Sequence, residues 1–301
     1  MNNSSNMYFN FLEIIWENKF KIIASSLTGA FLSILLSFSQ PVMYESQAIL
    51  KARDSNEEST SNIGTLGGFS SFAGVDFATE EAKRLNYAMA VLKSRDFFDL
   101  FYQDQNFLVY LFAMNGYTDD FNVSIDDNVY DLENKTWTKT FRNNKYFPGF
   151  EESYERFHSK LLRIQLDKKT NYIHLKTLTT NPVISKLILE DIIYNLNNFV
   201  REIELLESKN SMGYLEEYLS QKNPTVEVRE SVSSLLEKEI KTQMYANIHD
   251  DYMLEQIERP RIIIEKTNPI RLIWAIFGFA FGLIASFVII IYGKIISKRP
   301  A

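Results

Sequence analysis

The sequence is poor in the side chains that usually carry out chemistry in proteins. Its 301 residues include no cysteine and three histidines. Without cysteine, the chain can form neither a disulfide framework nor a thiolate metal site. The histidines, His158, His174 and His249, are far apart in the sequence, and no Gly-x-Ser-x-Gly, His-Glu-x-x-His or Walker motif is present. We therefore predict that the chain is not an enzyme and that it has no catalytic residue, no metal site and no cofactor.

Two weaker patterns resemble binding sites. The run 249–251, His-Asp-Asp, with Glu255 nearby could bind a metal, but a solvated acidic turn is the simpler interpretation. Residues 64–68 have the glycine content of a phosphate-binding loop but lack its Gly-Lys-Ser/Thr ending. We therefore expect no nucleotide site.

An excess of basic residues is also missing. The chain has 32 lysines and arginines against 38 aspartates and glutamates, a net charge of −6. Proteins that bind nucleic acids need a basic face to contact the phosphates. The composition therefore excludes a nucleic-acid partner.

Two long apolar runs are the strongest signal that is present. They extend from Ile22 to Phe38 and from Leu272 to Tyr292, and neither contains a charged residue. A helix of roughly 17–25 apolar residues crosses the hydrocarbon core of a bilayer. Trp16, Trp274 and Tyr292 lie near the ends of the runs, where aromatic side chains suit the membrane interface. We predict two transmembrane helices, 22–38 and 272–292.

A cleaved signal peptide is the alternative for the first run. The 21 residues before it contain Glu13 and Glu17, whereas a signal peptide usually begins with a shorter, basic segment. Residues 37–39, Ser-Phe-Ser, are compatible with a cleavage site. We favour the interpretation that the first run is retained as a membrane anchor. Cleavage as a signal peptide remains the alternative.

Basic residues in the short flanks indicate the orientation of the two runs. Such residues remain in the cytoplasm, and they lie before the first run and after the second: Lys19, Lys21, Lys294, Lys298 and Arg299. We therefore expect both termini to be cytoplasmic, although Arg271, at the other end of the second run, departs from this pattern. The predicted division is a cytoplasmic segment 1–21, a transmembrane helix 22–38, a periplasmic domain 39–271, a transmembrane helix 272–292 and a cytoplasmic tail 293–301.

The charge of the predicted periplasmic domain differs from that of the ends. Removing the five basic and two acidic residues of the ends from the totals of 32 and 38 leaves a net charge of about −9. This charge suits a solvated domain better than one that grips anionic lipid. The tail of about nine residues is too short for a kinase or a signalling module, which disfavours a two-span sensor.

Small residues recur at every fourth position of both apolar runs. They are Ser25, Gly29, Ser33 and Ser37 in the first run and Gly278, Gly282 and Ser286 in the second. Four-residue spacing places small side chains on one helix face, where another backbone can approach closely. We predict helix packing through these residues, within one chain or between chains.

The region between the runs mixes strands and helices. Alternating apolar and polar residues predict a strand over 44–52, and two further strands, 162–166 and 172–178, flank a turn-forming segment. A loop is expected over 54–78, a helix from Thr79 to about Phe101 and a short helix over 151–162. The segment 104–150 fits no clear pattern.

Two long helices follow the hairpin. Apolar residues keep helical spacing for nearly 40 residues after Pro182, Pro224 should end this helix, and a polar second helix is expected over 226–248. A strand over 252–264 should then join the strand 44–52 in one sheet, and Pro260 should either place this strand at a sheet edge or end it. The predicted fold class is α+β: two transmembrane helices flanking a periplasmic domain with a small membrane-proximal sheet and long projecting helices. Helices of this length need lateral partners, which favours an oligomer.

Several segments, taken in order, resemble one known family. They are FLEIIWENKF at 11–20, YESQA at 44–48, LKSRDF at 92–97, the strand from Tyr172 followed by Thr-Asn-Pro at 180–182, and a last set formed by Pro260, Pro269, Arg271, Gly278 and Gly282. The set resembles the polysaccharide co-polymerases, the Wzz-type chain length determinants. The chain departs from this family in having only two prolines before the second run and in the segment 104–150.

The resemblance implies a function and a set of partners. Such proteins set the modal length of surface polysaccharides, including O-antigen, that a Wzy-type membrane polymerase makes. They form ring-like homo-oligomers in the bacterial inner membrane, and the growing polysaccharide chain and the lipid bilayer are further partners. The family has no catalytic residues to carry over. Pro260, Pro269, Arg271, Gly278 and Gly282 carry over as structural positions near the membrane.

Other members of the wider two-span group provide the main alternative. A co-polymerase linked to polysaccharide export, or an adaptor for a separate tyrosine autokinase, would share the same plan. A neighbouring gene for a P-loop kinase would favour the adaptor, whereas a polymerase and a flippase would favour the chain-length regulator.

Overall fold

The fold is described from a computed structural model. It covers residue 16 and the ranges 18–53, 80–138, 140–141, 144–145, 147–221 and 225–297. Several predictions lie outside the described residues: the loop 54–78 with its glycine-rich segment 64–68, the helix start at Thr79, the break at Pro224, and most of the two terminal segments. Within the described parts the chain divides into two compact units, one formed by 1–43 with 265–301 and the other by 44–264.

The sheet of the larger unit is antiparallel and brings distant parts of the chain together. Its strands are β1 (Met43–Ala52), β8 (Leu162–Asp167), β9 (Tyr172–Thr179) and β10 (Leu254–Glu258), in the order β10-β1-β9-β8. Along β1, buried residues alternate with half-buried ones, because successive side chains of a strand point to opposite faces. The predicted hairpin and the pairing of the first strand with the strand after the long helices are both present.

The helix predicted from Thr79 to Phe101 is wrong in its continuity. Helix α1 (Lys19–Phe38) belongs to the smaller unit. In the larger unit, the predicted helix is divided into α2 (Glu80–Leu92) and a separate α3 (Arg95–Tyr102). Ser94 lies between α2 and α3, and its Oγ accepts a hydrogen bond from the Phe97 N–H at 3.1 Å. An N-cap serine of this kind starts a new helix, which explains the break.

The segment 104–150, which fitted no pattern, contains one helix and short strand pairs. They are α4 (Gln105–Phe112), β2 (Met114–Tyr117), β3 (Val123–Ile125), β4 (Tyr130–Asp131), β5 (Thr136–Trp137), β6 (Thr140–Phe141) and β7 (Asn144–Lys145). The helix predicted over 151–162 is shorter, as α5 (Phe150–Arg156), and continues into a wider π-helical turn, Phe157–Leu161.

The two long helices have the predicted extent. Helix α6 (Pro182–Gln221) has 40 residues, and α7 (Val226–Ile248) has 23. The N-terminal half of α6 lies in the core, where Leu189, Ile192 and Leu196 are fully buried. Beyond Val200, most of its side chains are exposed or half-buried, and Ser208 is an exception.

The strand predicted over 252–264 is wrong in its length. Strand β10 ends at Glu258, and residues 259–264 form no regular structure. Pro260 follows the strand and is buried. Proline has no backbone N–H to donate to a neighbouring strand, so pairing ends before it.

Aromatic rings dominate the core on one side of the sheet. Phe97, Phe98 and Phe157 are fully buried, and Phe98 contacts Phe150 and Phe157 with ring centroids 5.3 and 5.2 Å apart. Edge-to-face and tilted aromatic pairs contribute beyond the area that they bury. The helices before and after the segment 104–150 therefore share one core.

The smaller unit consists mainly of two apolar helices. These are α1 and α8 (Arg271–Ser297), and a short strand, β11 (Lys266–Asn268), precedes the second. The peptide bond between Asn268 and Pro269 is cis. The predicted mixed α+β fold, with apolar helices near both ends, long helices and a small sheet, is confirmed.

Candidate functional site: the apolar helix pair

Helices α1 and α8 are long and apolar enough to cross a membrane. The candidate spans are Lys19–Phe38 and Arg271–Ile290, each of 20 residues, with mean hydropathies of 1.6 and 2.5. Most of their side chains face outward, as lipid-facing surfaces do. Length and composition therefore make both helices candidates for membrane spans.

Three glycines bring the backbones of α1 and α8 into contact. A Cβ atom added to Gly29 would lie 2.5 Å from the carbonyl oxygen of Gly278, and one added to Gly282 would lie 2.5 Å from the carbonyl oxygen of Ser25. A Cβ on Gly278 would likewise meet the Gly29 carbonyl at 2.5 Å. Only glycine permits this approach, because any side chain would push the helices apart.

Two serines add hydrogen bonds across the same contact. Ser25 Oγ donates to the Gly282 carbonyl at 3.0 Å, and Ser33 Oγ donates to the Trp274 carbonyl at 2.6 Å. Both acceptors already belong to a helix, so the serines use the second lone pair of each carbonyl. The two bonds lie on either side of the glycine contact and fix its register.

The remaining small residues lie in the helix pair without a hydrogen bond across it. Ser286 is buried and donates to Leu283 of its own helix at 2.7 Å. Ser37 is also buried, and its Oγ has no hydrogen-bond partner. The structure therefore brings Ser25, Gly29, Ser33, Gly278 and Gly282 together in one chain, and a role for them in membrane packing remains a prediction.

Arg271 and Pro269 lie at one end of this helix pair. The Arg271 guanidinium is 4.3 Å from the centre of the Phe38 ring, at the end of the partner helix. Pro269 helps to line an open groove of about 330 Å³. The other lining residues are Gln40, Pro41, Met43, Asn268, Ile270, Ile273 and Trp274. Pro260, by contrast, belongs to the larger unit.

Asn197 is a structural residue of the larger unit that the sequence reasoning missed. It is buried on α6, and its Oδ1 accepts hydrogen bonds from the N–H groups of Met253 and Leu254 at 2.7 and 2.8 Å. Its Nδ2 donates to the Leu254 carbonyl at 3.2 Å. The sequence contains one signal for this role: an asparagine lies within the apolar stripe of the predicted helix, where a buried polar side chain needs hydrogen-bond partners.

Tyr252 makes a second polar contact between helix α6 and the residues at the start of β10. The Tyr252 hydroxyl donates to the Glu204 carboxylate, and Arg84 Nη2 donates to the Tyr252 carbonyl at 3.1 Å. Burial and the nearby Glu204 charge raise the pKa of Tyr252, so the hydroxyl keeps its proton. Tyr252 therefore serves as a hydrogen-bond donor that ties the start of β10 to the long helix.

The three histidines are separate in the structure. His174 is half-buried on β9, between the fully buried Ile173 and Leu175. His158 is half-buried against Phe157, and its burial lowers the pKa of the imidazole. His249 Nδ1 lies 3.2 Å from Arg53 Nη1. Within the described ranges, no group of three or more His, Asp or Glu side chains could hold a metal ion.

Comparison with known proteins points to one family. The model of the family described as "Chain length determinant protein", Wzz, matches residues 9–104, about a third of the chain. These residues include α1 and β1. No curated protein matches the chain in a sequence search.

Two solved structures are similar to the chain at low sequence identity. A full-length bacterial polysaccharide co-polymerase shares 10% identity and a TM-score of 0.39, over 96% of this chain and 98% of that one. A fragment of WzzB, the polysaccharide co-polymerase from Salmonella Typhimurium, shares 11% identity and a TM-score of 0.35, over 75% of this chain and 100% of that one.

The resemblance predicted from the sequence is therefore confirmed by the family match. The matched region contains three of the quoted segments, at 11–20, 44–48 and 92–97. It also contains Ser25, Gly29 and Ser33, the small residues of the first apolar helix. The residues of the second apolar helix lie outside the match.

Proposed function

We propose that this protein regulates the modal chain length of a surface polysaccharide, an O-antigen or a related lipopolysaccharide or capsule glycan. The observation that carries the proposal is the match of residues 9–104 to the chain length determinant family. The two candidate spans support it, because a regulator of a membrane polymerase must lie in the same membrane.

The proposed location is the bacterial inner membrane. Both termini are cytoplasmic, and the main domain, 39–271, is periplasmic, between the spans 22–38 and 272–292. The cytoplasmic segments are 1–21 and 293–301. The lysines before the first span support this orientation, because basic flanks are retained in the cytoplasm.

The proposed mechanism is regulatory and involves no catalytic residue of this chain. The protein assembles as a ring-like homo-oligomer and works with a Wzy-type polymerase, whose subunits the spans hold around or inside the ring. The periplasmic wall of the ring biases the moment at which the growing polysaccharide is released. The long helix α6 supports an assembly, because the large apolar side chains of Leu206 and Tyr214, beyond Val200, are exposed.

Deletion and restoration of the gene test this function directly. Polysaccharide from the native host is resolved on a gel with the gene present, deleted and restored. We expect the deletion to turn a clustered ladder into a random, short-weighted one, and the restored gene to bring the cluster back. An unchanged ladder, or loss of all polysaccharide, would contradict the proposal and favour the export or kinase-adaptor role.

A further inference from the structure

We propose that the groove at the Arg271 end of the apolar helix pair binds one anionic glycerophospholipid, whose phosphate is held by Arg271. The inference rests on the membrane placement in the proposed function but not on the control of polysaccharide length. It assigns a binding site and a ligand class to residues that otherwise serve only packing.

The shape of the groove is the first observation. It encloses about 330 Å³, which is at the lower end of the roughly 300–1,000 Å³ of small-molecule sites. Pro41 and Met43 line it from the segment after α1, and Ile270, Ile273 and Trp274 line it from the start of α8. The lining is mostly apolar. It therefore suits the part of an acyl chain that lies nearest the glycerol better than it suits a free ion.

Polar groups in the lining are the second observation. Gln40 and Asn268, which carry side-chain amides, are both among the residues that line the groove. Amides can donate to the ester carbonyls that join the acyl chains to the glycerol of a phospholipid. A groove that is apolar along its length and polar at a few points matches this part of a lipid.

The state of Arg271 is the third observation. Its guanidinium lies over the Phe38 ring at 4.3 Å, and no carboxylate among the described residues pairs with it. A guanidinium carries five N–H donors, and two of them can bind the oxygens of one phosphate side by side. Arg271 directly follows Ile270 and precedes Trp274 by three residues, and both of these line the groove, so its side chain can reach the groove's edge.

The surroundings identify a lipid of the bilayer as the source of the phosphate. Leu272, Phe277 and Phe38 are exposed by 70%, 71% and 61% beside this site. Surfaces this apolar belong in hydrocarbon, so a ligand would enter sideways from the membrane. The single positive charge favours an anionic headgroup over a zwitterionic one, because the choline or ethanolamine cation of the latter would repel it.

The test uses the full-length protein in vesicles of phosphatidylcholine. The vesicles carry a small fraction of photoactivatable phosphatidylglycerol or, separately, photoactivatable phosphatidylcholine, with the reactive group near the glycerol. Mass spectrometry then locates the labelled peptides. We expect phosphatidylglycerol to label 40–43 and 268–274 more strongly than phosphatidylcholine does.

Two variants separate the site from general attraction to lipid. Arg271→Gln should lower labelling by phosphatidylglycerol about tenfold, as expected when a charge-assisted hydrogen bond is lost. Lys266→Gln removes the same charge from an exposed residue outside the groove, and labelling should stay at the wild-type level. Distances between spin labels on the two helices report whether each variant keeps the helix pair intact.

The outcomes are distinct. Equal labelling by the two lipids, or labelling that Arg271→Gln leaves unchanged in an intact helix pair, would overturn the proposal. Labels scattered along α1 and α8 would overturn it too. The labelling experiment involves no polysaccharide. Failure of the gel experiment would therefore leave the lipid proposal standing, and failure of the labelling experiment would leave the proposed function standing.

Discussion

The apolar helix pair and the core of the larger unit are stabilised in different ways. In the apolar pair, glycines and serines bring backbones into contact and carry two hydrogen bonds between the helices. In the larger unit, the N-terminal half of α6 buries Leu189, Ile192 and Leu196 in the core. Lipid removes the hydrophobic drive for association, so close van der Waals contact and hydrogen bonds must replace it. In water, burial of large apolar side chains is the main source of stability.

The largest expected effect concerns the core of the larger unit. Leu189→Ala should lower the free energy of unfolding of the larger unit by about 2–5 kcal/mol, because it leaves a cavity at a fully buried site. The measurement is the urea dependence of proteolysis of the full-length protein in detergent.

The matched control for Leu189→Ala is the same substitution further along helix α6. Leu206 is 61% exposed, so Leu206→Ala should change the free energy by less than about 0.5 kcal/mol. Equal effects of the two substitutions would contradict the division of α6 into a buried half and an exposed half.

Enlarging a glycine should separate the apolar pair. Gly282→Leu places side-chain atoms where a Cβ already meets the Ser25 carbonyl at 2.5 Å, so the pair should lose about 1–3 kcal/mol. The chain has no cysteine, so spin labels can be attached at Leu27→Cys and Ile284→Cys, two exposed positions. We expect the distance distribution between them to lengthen and broaden.

Two controls accompany the glycine substitution. Ala280→Leu adds similar bulk on an exposed face of α8 and should leave the distance distribution unchanged. Gly213, on α6, has nothing within 4 Å of an added Cβ, so Gly213→Ala should stabilise that helix by about 0.5–1 kcal/mol. An unchanged distribution in Gly282→Leu would mean that the glycine contact is not required.

Loss of a serine hydroxyl should have a smaller effect on the apolar pair. Ser33→Ala removes the hydrogen bond to the Trp274 carbonyl and should cost about 0.6 kcal/mol, the typical value for such bonds in membranes. The same spin-label pair, followed during thermal unfolding in detergent, measures the change. Thr28→Val, which removes only a bond to Ala24 in the same helix, is the control and should leave the midpoint of separation unchanged.

The smallest effect concerns an exposed ion pair of the larger unit. Arg95 donates two hydrogen bonds to Glu151, and these hold the pKa of Glu151 below its ordinary value of 4.5. A lowered pKa in the folded state means that the pair stabilises the unit above pH 4.5 and that this contribution is lost as the pH falls through the lowered pKa. Glu151→Gln should therefore flatten the acid dependence of the thermal midpoint, although slightly, because solvent screens exposed pairs.

The control for the ion pair is the neighbouring carboxylate. Glu152→Gln keeps the Arg95–Glu151 pair, so its acid dependence should match that of the wild type. If the two variants behaved alike, the pair would contribute nothing measurable.

Elements with clean periodicity could be predicted from the sequence. Helices α6 and α7 follow the predicted ranges, and the β8–β9 hairpin follows its turn signal. The small-residue rows predicted which faces of the apolar helices would meet, but they could not tell whether the contact lies within one chain. Hydrogen bonds such as Ser33 to Trp274 depend on the register of two helices, which sequence spacing does not define.

Elements without periodicity were missed for physical reasons. Helix α4 is apolar on nearly every side, so it has no amphipathic pattern to detect. The break at Ser94 was hidden because apolar spacing continues into α3, although Ser94 followed by Arg-Asp is a helix-start pattern. The groove beside Arg271 needs two segments more than 200 residues apart, which only tertiary structure brings together.

The length profile of the polysaccharide tests the central claim most directly. A host that lacks the gene is supplied with the wild type, with Ala280→Leu or with the double variant Gly278→Leu and Gly282→Leu, all at equal protein levels. We predict that the wild type and Ala280→Leu restore a clustered ladder, whereas the double variant gives a shifted or random one. If the wild type restores no cluster, the chain does not regulate length; if all three restore the same cluster, the glycine contact plays no part in it.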